Sequence, residues 1–403
     1  MPVRADVLAR GISYLITLRE GPYRRVREDN AGIIRDAAVA WRNGRIVWVG
    51  REIDSHEVKA RETLDFGGRV VTPGFVDSHT HLVFAGERQR ELWMKLEGKS
   101  YLEILESGGG IYYTVRKTRE ASVESLADRA ARTLYTMKRY GASLVEAKTG
   151  YGLLPEYEKK MLLAARMAEK KVRGVSLVHT VLAHVVPEEY EGRREEYVDL
   201  FVREIIPMAR DMGAEFVDVF CDKGAFSVEE TRRIVGAGIR AGLKPRLHSD
   251  ELANIGCHRL ALEYEIYSLD HLEHLPPGQV SALAKTRTVL TLLPTSMLSV
   301  FSDRRPPVEE MRRRGALIGI ASDYNPNNMT PSMKHVLELA IYLYRLTPLE
   351  ALAAATVNAA YSLDRPDYGR IARGSVARLV VWDFEDYRKI GYEWGYDNLH
   401  AVI

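Results

Sequence analysis

The chain has 403 residues, of which 46% are hydrophobic and 28% charged, a composition typical of a globular protein with a large core and not of a disordered one. Its 57 Lys and Arg and 55 Asp and Glu give a net charge of +2, and the two signs are interspersed. This balance gives no indication of a surface that binds nucleic acid or an anionic membrane.

The sequence predicts a cytoplasmic protein and suggests no disulfide framework. Its two cysteines, Cys221 and Cys257, lie far apart and form no C-x-x-C pair, so neither a disulfide framework nor a zinc ribbon is expected. Residues 1–10 carry charges, and the apolar stretch that follows is short, unlike a signal peptide. Since no run reaches the roughly 18 apolar residues of a membrane span, we expect no association with a membrane.

The two ends of the chain predict one small β domain. The apolar runs 38–41 and 46–49 flank Asn43-Gly44, and Asn-Gly between two such runs is the strongest short signal for a hairpin. The segment 377–383 is again rich in β-forming residues. We therefore expect residues 1–72 and 366–403 to form a β-sandwich-like domain together.

Between the two ends, apolar strands alternate with helices, which predicts parallel βα units. Ser227 with Glu230 and Thr347 with Glu350 are capping boxes that mark helix starts. The predicted strands are 70–71 with 74–77, 143–146, 175–178, 216–220, 245–248, 268–271, 289–293 and 317–320. Eight such units over residues 73–365 predict an α/β fold, a (β/α)8 TIM-like barrel with its active site at the carboxyl ends of the strands.

A group of histidines and one aspartate indicates a metal site at those strand ends. His79 and His81 follow the first barrel strand two residues apart, so that both rings point the same way and can share one cation. His248, His271 and Asp323 each end a separate predicted strand. Considered alone, His79 and His81 could instead be two histidines at the surface or at the edge of the core, without a metal. We predict that His79, His81, His248 and Asp323 bind one divalent or trivalent metal ion, zinc or iron.

Three further residues are candidates for catalysis. Glu251 lies three residues after His248, where its carboxylate can take a proton from a metal-activated water and deliver it to a leaving nitrogen. The neighbouring Asp250 is the alternative acid, and either residue could instead cap the next helix. We expect His271 to support the metal site or polarise the substrate, and His184 to hydrogen-bond a substrate carbonyl. A structural histidine is the alternative in both cases.

Motifs in this order along the chain resemble those of a known enzyme family. Gly-Phe-Val-Asp-Ser-His-Thr-His at 74–81 resembles the first-strand motif of the amidohydrolase superfamily. Further motifs resemble the imidazolonepropionase family within that superfamily. They are HTHLVFAGER at 79–88, SY at 100–101, GGGI at 108–111, KTGYGL at 148–153, AH at 183–184, PEEY at 187–190, HSDE at 248–251, SDYNP at 322–326 and TVNAA at 356–360. The resemblance runs over almost the whole chain, and it implies hydrolysis of 4-imidazolone-5-propanoate to N-formimino-L-glutamate.

The resemblance also implies a set of substrate-binding residues. Arg88 and Tyr151 would bind the propionate, and a planar guanidinium suits a carboxylate; a surface arginine and a packed aromatic are the alternatives. The other expected contacts are Tyr101, His184, Asn325, Asn327 and Asn328. After Asn325-Pro326 the family has Gly-Ser, whereas this chain has Asn327-Asn328, so larger side chains stand in that loop.

Two other functions stay open at this point. The first is deamination of an aromatic heterocycle, because aminohydrolases of the same superfamily use the same metal ligands and the same acid. Arg88 and Tyr151 argue against that reaction. A catalytically silent amidohydrolase fold, used for binding or metal storage, would be marked by the loss of a ligand or of the acid, and both are present. We expect a small anionic molecule as the partner, no nucleic acid, and a homodimer as a possible assembly.

Overall fold

The computed structural model describes residues 2–99, 103–104 and 107–403, and its larger sheet is built from parallel strands. These strands are β5 (Phe75–Asp77), β6 (Ala142–Lys148), β7 (Ser176–Ala183), β8 (Phe216–Cys221), β9 (Lys244–Ser249), β10 (Ser268–His271), β11 (Val289–Leu292) and β12 (Leu317–Ile320). Each strand pairs in parallel with its neighbour in sequence. The predicted barrel is confirmed, and all eight predicted strands contribute to it. Residues 70–71, which the sequence joined to the first barrel strand, lie instead in the strand Val58–Pro73 of a second sheet.

The barrel closes where the segments that follow β5 and β12 meet. The Asp323 amide donates to the His79 carbonyl at 3.0 Å, and the His81 amide donates to the Tyr324 carbonyl at 2.8 Å. Just before this junction, the Asp77 carboxylate accepts from the Ser322 hydroxyl at 2.6 Å. Closure therefore places the H-x-H pair beside Asp323, at the carboxyl ends of the strands.

Helices connect the barrel strands. Their bounds are α1 (Gln89–Leu96), α2 (Gly110–Glu120), α3 (Val123–Arg139), α4 (Pro155–Lys171), α5 (Arg194–Leu200), α6 (Ile206–Asp211), α7 (Val228–Arg240), α8 (Leu260–Glu263), α9 (Val280–Leu283), α10 (Pro294–Ser299), α11 (Val308–Arg314), α12 (Met333–Tyr344), α13 (Pro348–Ala354) and α14 (Val357–Ser362). A π-helical turn (Phe201–Ile205) joins α5 to α6. Both predicted capping boxes are formed, at the starts of α7 and α13.

Short 3-10 turns and an extensive apolar core complete the barrel. The turns span Glu52–Glu57, Glu188–Tyr190, Cys257–Arg259, Pro277–Gln279 and Tyr387–Lys389. Val217 and Leu247 on the strands are fully buried, as is Ile234 on α7, within one large cluster of apolar side chains. No helix in the described part of the chain combines the length and the apolar composition needed to cross a membrane.

The two chain ends contribute a second, six-stranded sheet. Its strands are β1 (Val3–Ile16), β2 (Ile33–Arg42), β3 (Arg45–Arg51), β4 (Val58–Pro73), β13 (Leu379–Trp382) and β14 (Leu399–Val402), in the order β14-β13-β4-β1-β2-β3. β2 and β3 form the predicted hairpin, with positive φ at Asn43 and Gly44. The two chain ends thus come together, as predicted, although in one six-stranded sheet where a sandwich-like arrangement was expected. The division into domains at residues 72 and 366 stays a prediction.

Gly74 is the point where the chain passes from the small sheet into the barrel. Its amide donates to the Arg378 carbonyl at 2.8 Å, while the next amide, of Phe75, donates to the Gly141 carbonyl at 2.8 Å. A Cβ atom at residue 74 would lie 2.9 Å from the Cβ of Ser143 and 3.1 Å from that of Arg378. Only glycine leaves room for the two sheets to approach this closely.

The two cysteines, whose spacing suggested no disulfide framework, do form one disulfide. Cys221, the last residue of β8, and Cys257, in the segment that follows β9, form a disulfide with an S–S distance of 2.06 Å. β8 and β9 are neighbours in the barrel, so the segments that leave their carboxyl ends lie side by side. Sequence spacing does not reveal such a pairing, because the fold alone brings the two segments together.

Candidate active site

A cavity of about 750 Å³ opens at the carboxyl ends of the barrel strands and gathers most of the predicted site residues. The predicted residues in its wall are His81, Arg88, Tyr151, His184, His248, Glu251, His271, Asp323, Asn325 and Asn327. His79 lies directly behind this wall and is fully buried. Most residues named from the sequence thus surround one space, although they come from segments spread along almost the entire chain.

Three imidazoles form the centre of the site. One ring nitrogen from each of His79, His81 and His248 can be chosen so that all three lie within 4.8 Å of one another, and all three residues are buried. The ring centroids of His79 and His248 are 4.4 Å apart. Such spacing lets one cation contact all three nitrogens, so the group could hold a metal ion.

Asp323 supplies a carboxylate beside this group. Its Oδ1 lies 3.6 Å from His79 Nε2 and 3.4 Å from His81 Nε2. Within the described part of the chain, Asp323 Oδ1, His79 Nε2 and His248 Nε2 are buried without a hydrogen-bond partner. Buried polar atoms are normally paired, so three unpaired atoms that converge on one point fit a binding site for a cation.

Two aspartates that sequence reasoning missed lie behind the imidazoles. Asp270 Oδ2 lies 2.7 Å from His79 Nδ1, and Asp218 Oδ2 lies 3.0 Å from His248 Nδ1. A carboxylate on Nδ1 orients the ring and leaves Nε2 for a metal. Because Asp218 and Asp270 stand in apolar strands, their charge was the signal in the sequence that could have identified them.

A buried network of charges supports these aspartates. Lys148 Nζ lies 2.6 Å from Asp218 Oδ2 and 2.9 Å from Glu146 Oε2. Arg246 contacts Glu146 at 3.1 Å and Asp270 at 3.2 Å, and all five side chains are fully enclosed. Burial favours the neutral form of a carboxyl group, but His248 and Lys148 hold the pKa of Asp218 below its usual value.

His79 and His81 are held in the neutral form that metal ligation requires. Burial, followed by repulsion from Lys148, lowers the pKa of His79 well below its usual value. Burial also lowers the pKa of His81, and the nearby Asp323 offsets only part of this effect. Two neutral rings beside an ionised carboxylate are a donor set that suits zinc or ferrous iron.

The backbone adopts the left-handed region at several residues of the site. The φ angle is 58° at Asp250, 81° at His271, 76° at Leu272 and 49° at Asp323. Residues other than glycine are uncommon in this region, and they persist there only where the surrounding structure holds them. This local strain coincides with the strand ends that carry the predicted chemistry.

The structure separates the two acids that follow β9. Glu251 lines the cavity, and its Oε2 lies 3.5 Å from His271 Nε2. Removal from water, with repulsion from Asp323, raises the pKa of Glu251 well above its usual value. Asp250 instead accepts from the Ser249 hydroxyl at 2.5 Å and contacts Asn254. Only Glu251 of this pair faces the space where a substrate would bind.

His184 and His271 both lie beside the imidazole centre, His184 against His81 and His271 against His79. The His184 ring stacks on His81 with centroids 5.1 Å apart, and its Nδ1 lies 3.1 Å from the Gly150 carbonyl oxygen. A carbonyl oxygen can only accept, so Nδ1 carries the proton. Burial lowers the pKa of His184 well below its usual value, which leaves its Nε2 as an acceptor. Burial lowers the pKa of His271 to about 3.

Arg88 and Lys95 are two of the cationic side chains that line the cavity, and we call the part of the lining that they form the cationic wall. The Arg88 guanidinium contacts both oxygens of Glu91, at 2.8 and 2.6 Å, and thereby uses two of its five N–H groups. Lys95, about two turns along α1 from Arg88, donates to Asn327 Oδ1 at 2.6 Å. Tyr151 packs against His184 with ring centroids 5.2 Å apart. Glu91 and Lys95 were missed from the sequence, although Arg-x-x-Glu at a helix start is a visible pairing signal.

The Asn-rich loop after β12 divides into two roles. Asn325 and Asn327 line the cavity, whereas the buried Asn328 amide donates to the Ser322 and Asp323 carbonyls at 2.8 and 3.0 Å. Asn328 therefore holds the segment that carries Asp323, and its side chain does not reach the cavity wall. Tyr101, the remaining predicted substrate contact, lies outside the described residues.

Known proteins resemble this chain in sequence and in fold. Its residues 262–403 match the model of the Amidohydrolase family. The imidazolonepropionase of Pyrobaculum arsenaticum is 43% identical over 393 residues, covering 96% of each chain. The imidazolonepropionase of Bacillus cereus is 37% identical over 402 residues, covering 98% of this chain and 95% of its own.

Solved structures share the architecture at low identity. An adenosine deaminase from Xanthomonas campestris with bound zinc has a TM-score of 0.73 at 18% identity, covering 100% of this chain and 92% of its own. An atrazine chlorohydrolase from Arthrobacter aurescens complexed with zinc has a TM-score of 0.72 at 16% identity, covering 98% of this chain and 93% of its own. At such identities these two structures support the fold alone.

Proposed function

We propose that this chain, which belongs to the imidazolonepropionase family, hydrolyses the cyclic amide of 4-imidazolone-5-propanoate to N-formimino-L-glutamate. The observation that carries the proposal is one cavity whose wall presents imidazoles, the acid Glu251 and the guanidinium of Arg88. The relatives named above carry the name of this activity at 37% and 43% identity over nearly the whole chain. Deamination of an aromatic heterocycle is not favoured by these relatives.

The metal in this proposal is a single divalent ion, zinc or ferrous iron, held by His79, His81, His248 and Asp323. The groups in and beneath the ligand set are four carboxylates and two cations: Glu146, Asp218, Asp270, Asp323, Lys148 and Arg246. With the ligand histidines in the neutral form that metal binding requires, this buried region carries a formal excess of two negative charges, which a divalent cation balances. When bound, such an ion lowers the pKa of a coordinated water and polarises a carbonyl oxygen.

Glu251 moves the proton in the proposed reaction. Its raised pKa and its position on the cavity wall suit a group that accepts a proton from the attacking water and then delivers it to the leaving ring nitrogen. His271, next to Glu251, would polarise the carbonyl group. His184 presents an acceptor at Nε2, so we assign it to a substrate N–H and not to the carbonyl expected from the sequence.

The anionic tail of the substrate would lie against the cationic wall. Arg88 keeps three N–H groups beyond those that contact Glu91, and a planar fork suits a carboxylate. Lys95 stands in the same wall and is held toward the cavity by Asn327. Tyr151 and Asn325 complete the proposed contacts with the substrate.

Three expectations from the sequence stay predictions. They are a cytoplasmic location, a homodimeric assembly and the absence of a nucleic-acid partner. The near balance of charge, with a net charge of +2, supports the last of them, since nucleic-acid binding requires a concentrated basic surface.

The proposal is tested with purified protein, by metal analysis and a spectrophotometric assay of the loss of 4-imidazolone-5-propanoate, beside a panel of aminated heterocycles. We expect about one equivalent of metal, turnover of the imidazolone and none of the panel. Asp323→Ala should abolish tight metal binding and turnover, because it removes the carboxylate ligand. The matched control is Asp383→Ala, which removes an exposed carboxylate paired with Arg69. A metal-free chain with full activity would contradict the proposal.

A further inference from the structure

The segment that carries Glu251 has little regular structure of its own. We call residues 250–257 the acid loop; it follows β9, and only its last residue, Cys257, belongs to a regular element, the 3-10 turn Cys257–Arg259. Leu252 and Ile255 within it are 54% and 38% exposed. An exposed segment without secondary structure has low local stability unless other elements hold it, so the position of Glu251 depends on the contacts that anchor this loop.

Two adjacent residues at the end of β8 anchor the acid loop at both of its ends. The Asp222 carboxylate accepts from the amides of Glu251, Leu252 and Ala253 at 2.8, 2.9 and 2.9 Å. Cys221, directly before Asp222, is bonded to Cys257 at the other end of the loop. Both cysteines are fully buried. β8 thus holds the start of the loop by hydrogen bonds and its end by a covalent bond.

We propose that the Cys221–Cys257 disulfide is a positioning element for catalysis, which fixes the acid loop so that Glu251 stays directed at the reacting atoms. The proposal rests on the role of Glu251 given above. The metal ligands lie at strand ends and at the barrel junction, and the cationic wall lies on α1, so neither depends on the loop. Loss of the disulfide should therefore lower kcat and leave the metal content and KM nearly unchanged.

The decisive test is a double-mutant cycle. In the parent, the pair Cys221→Ala and Cys257→Ser should lower kcat roughly tenfold or more, since a misplacement of about 1 Å can cost about 100-fold. In the Glu251→Gln background, the same pair should change kcat by less than about twofold, because the group it positions is already absent. An equal fall in both backgrounds, or no fall in either, would overturn the proposal.

Two further measurements keep the proposal testable if the double variant folds poorly. The parent can be reduced with dithiothreitol, whose two thiols donate two electrons and two protons to the disulfide and close into a ring disulfide; the same cycle is then measured. Hydrogen exchange should accelerate at the amides of residues 251–253, while β9 keeps its protection. Unchanged exchange after reduction would contradict the proposal. Ile255→Ala, an exposed change within the loop, is the control and should keep full kcat.

Failure of this inference is distinguishable from failure of the proposed function. If Glu251→Gln alone retains full turnover, the assignment of Glu251 as the acid is wrong. If Glu251→Gln loses turnover while removal of the disulfide does not, the assignment of the acid stands and only the positioning role of the disulfide is wrong.

Discussion

Asp270→Asn is the most informative perturbation of the metal site, because it changes no predicted ligand. Asp270 Oδ2 lies 2.7 Å from His79 Nδ1, 3.2 Å from Arg246 Nη2 and 3.8 Å from Lys148 Nζ. Asparagine has the same shape and can still accept one hydrogen bond, but it carries no charge. The NH2 group of the asparagine would also replace a carboxylate oxygen that now accepts hydrogen bonds, and an NH2 group can only donate them.

The size of the expected effect follows from these contacts. Loss of an outer partner of a metal-binding histidine typically weakens metal binding by 10- to 100-fold, which corresponds to about 1.4 to 2.7 kcal/mol. In this chain the lost charge also balances Arg246 and Lys148, so their positive charge would then act on a bound cation with less compensation. We therefore expect a value near the upper limit, about 100-fold.

Zinc affinity is measured by competition with a chelating dye, while circular dichroism and the melting temperature report whether the variant folds. Asp383→Asn is the matched control, since it makes the same chemical change at an exposed carboxylate paired with Arg69. The control should bind zinc as the parent does. A folded Asp270→Asn variant with a Kd within about threefold of the parent would refute the orienting role of Asp270, because such a role accounts for at least about tenfold.

Three more predictions follow from the site and the fold. Glu251→Gln should retain metal and lose roughly 10²- to 10⁴-fold in kcat, and a larger loss in Asp250→Asn than in Glu251→Gln would mean that the wrong acid is named. Arg88→Met should mainly raise KM, by an amount that corresponds to roughly 2 to 4 kcal/mol in kcat/KM, and Arg88→Lys should recover part of the loss. An unchanged KM in steady-state kinetics would contradict the proposed contact between Arg88 and the substrate carboxylate. Gly74→Ala should destabilise the fold by about 1 to 3 kcal/mol in urea unfolding, because the new Cβ crowds Ser143, and a variant as stable as the parent would argue against close packing there.

The barrel and its ligand set were predictable because each rests on a local rule. Buried parallel strands appear in the sequence as short apolar runs, and the eight runs correspond to β5 through β12. Alternation along an extended chain places His79 and His81 on one side. Since parallel strands direct their carboxyl ends to one face, His248 and Asp323 had to approach them.

The partners of these residues were not predictable, because they depend on which segments the fold brings together. A charged residue such as Asp218 or Asp270 within an apolar strand indicates that a partner exists, but it does not identify that partner. The Cys221–Cys257 pair likewise depends on the adjacency of β8 and β9. His184 was predicted at the site, whereas its role as an acceptor follows only from the position of Gly150.

The small sheet also constrains the order in which the molecule can assemble during synthesis. Within it, the Trp382 indole donates to the Thr72 hydroxyl across 310 residues of sequence, and β13 pairs with β4. The ribosome delivers β4 before any strand of the barrel and delivers β13 after all of them. Pairing across so long a separation carries a large entropic cost until the intervening chain is compact. The edge of β4 must therefore stay open while the barrel forms, and the last strands to emerge complete the first sheet to begin.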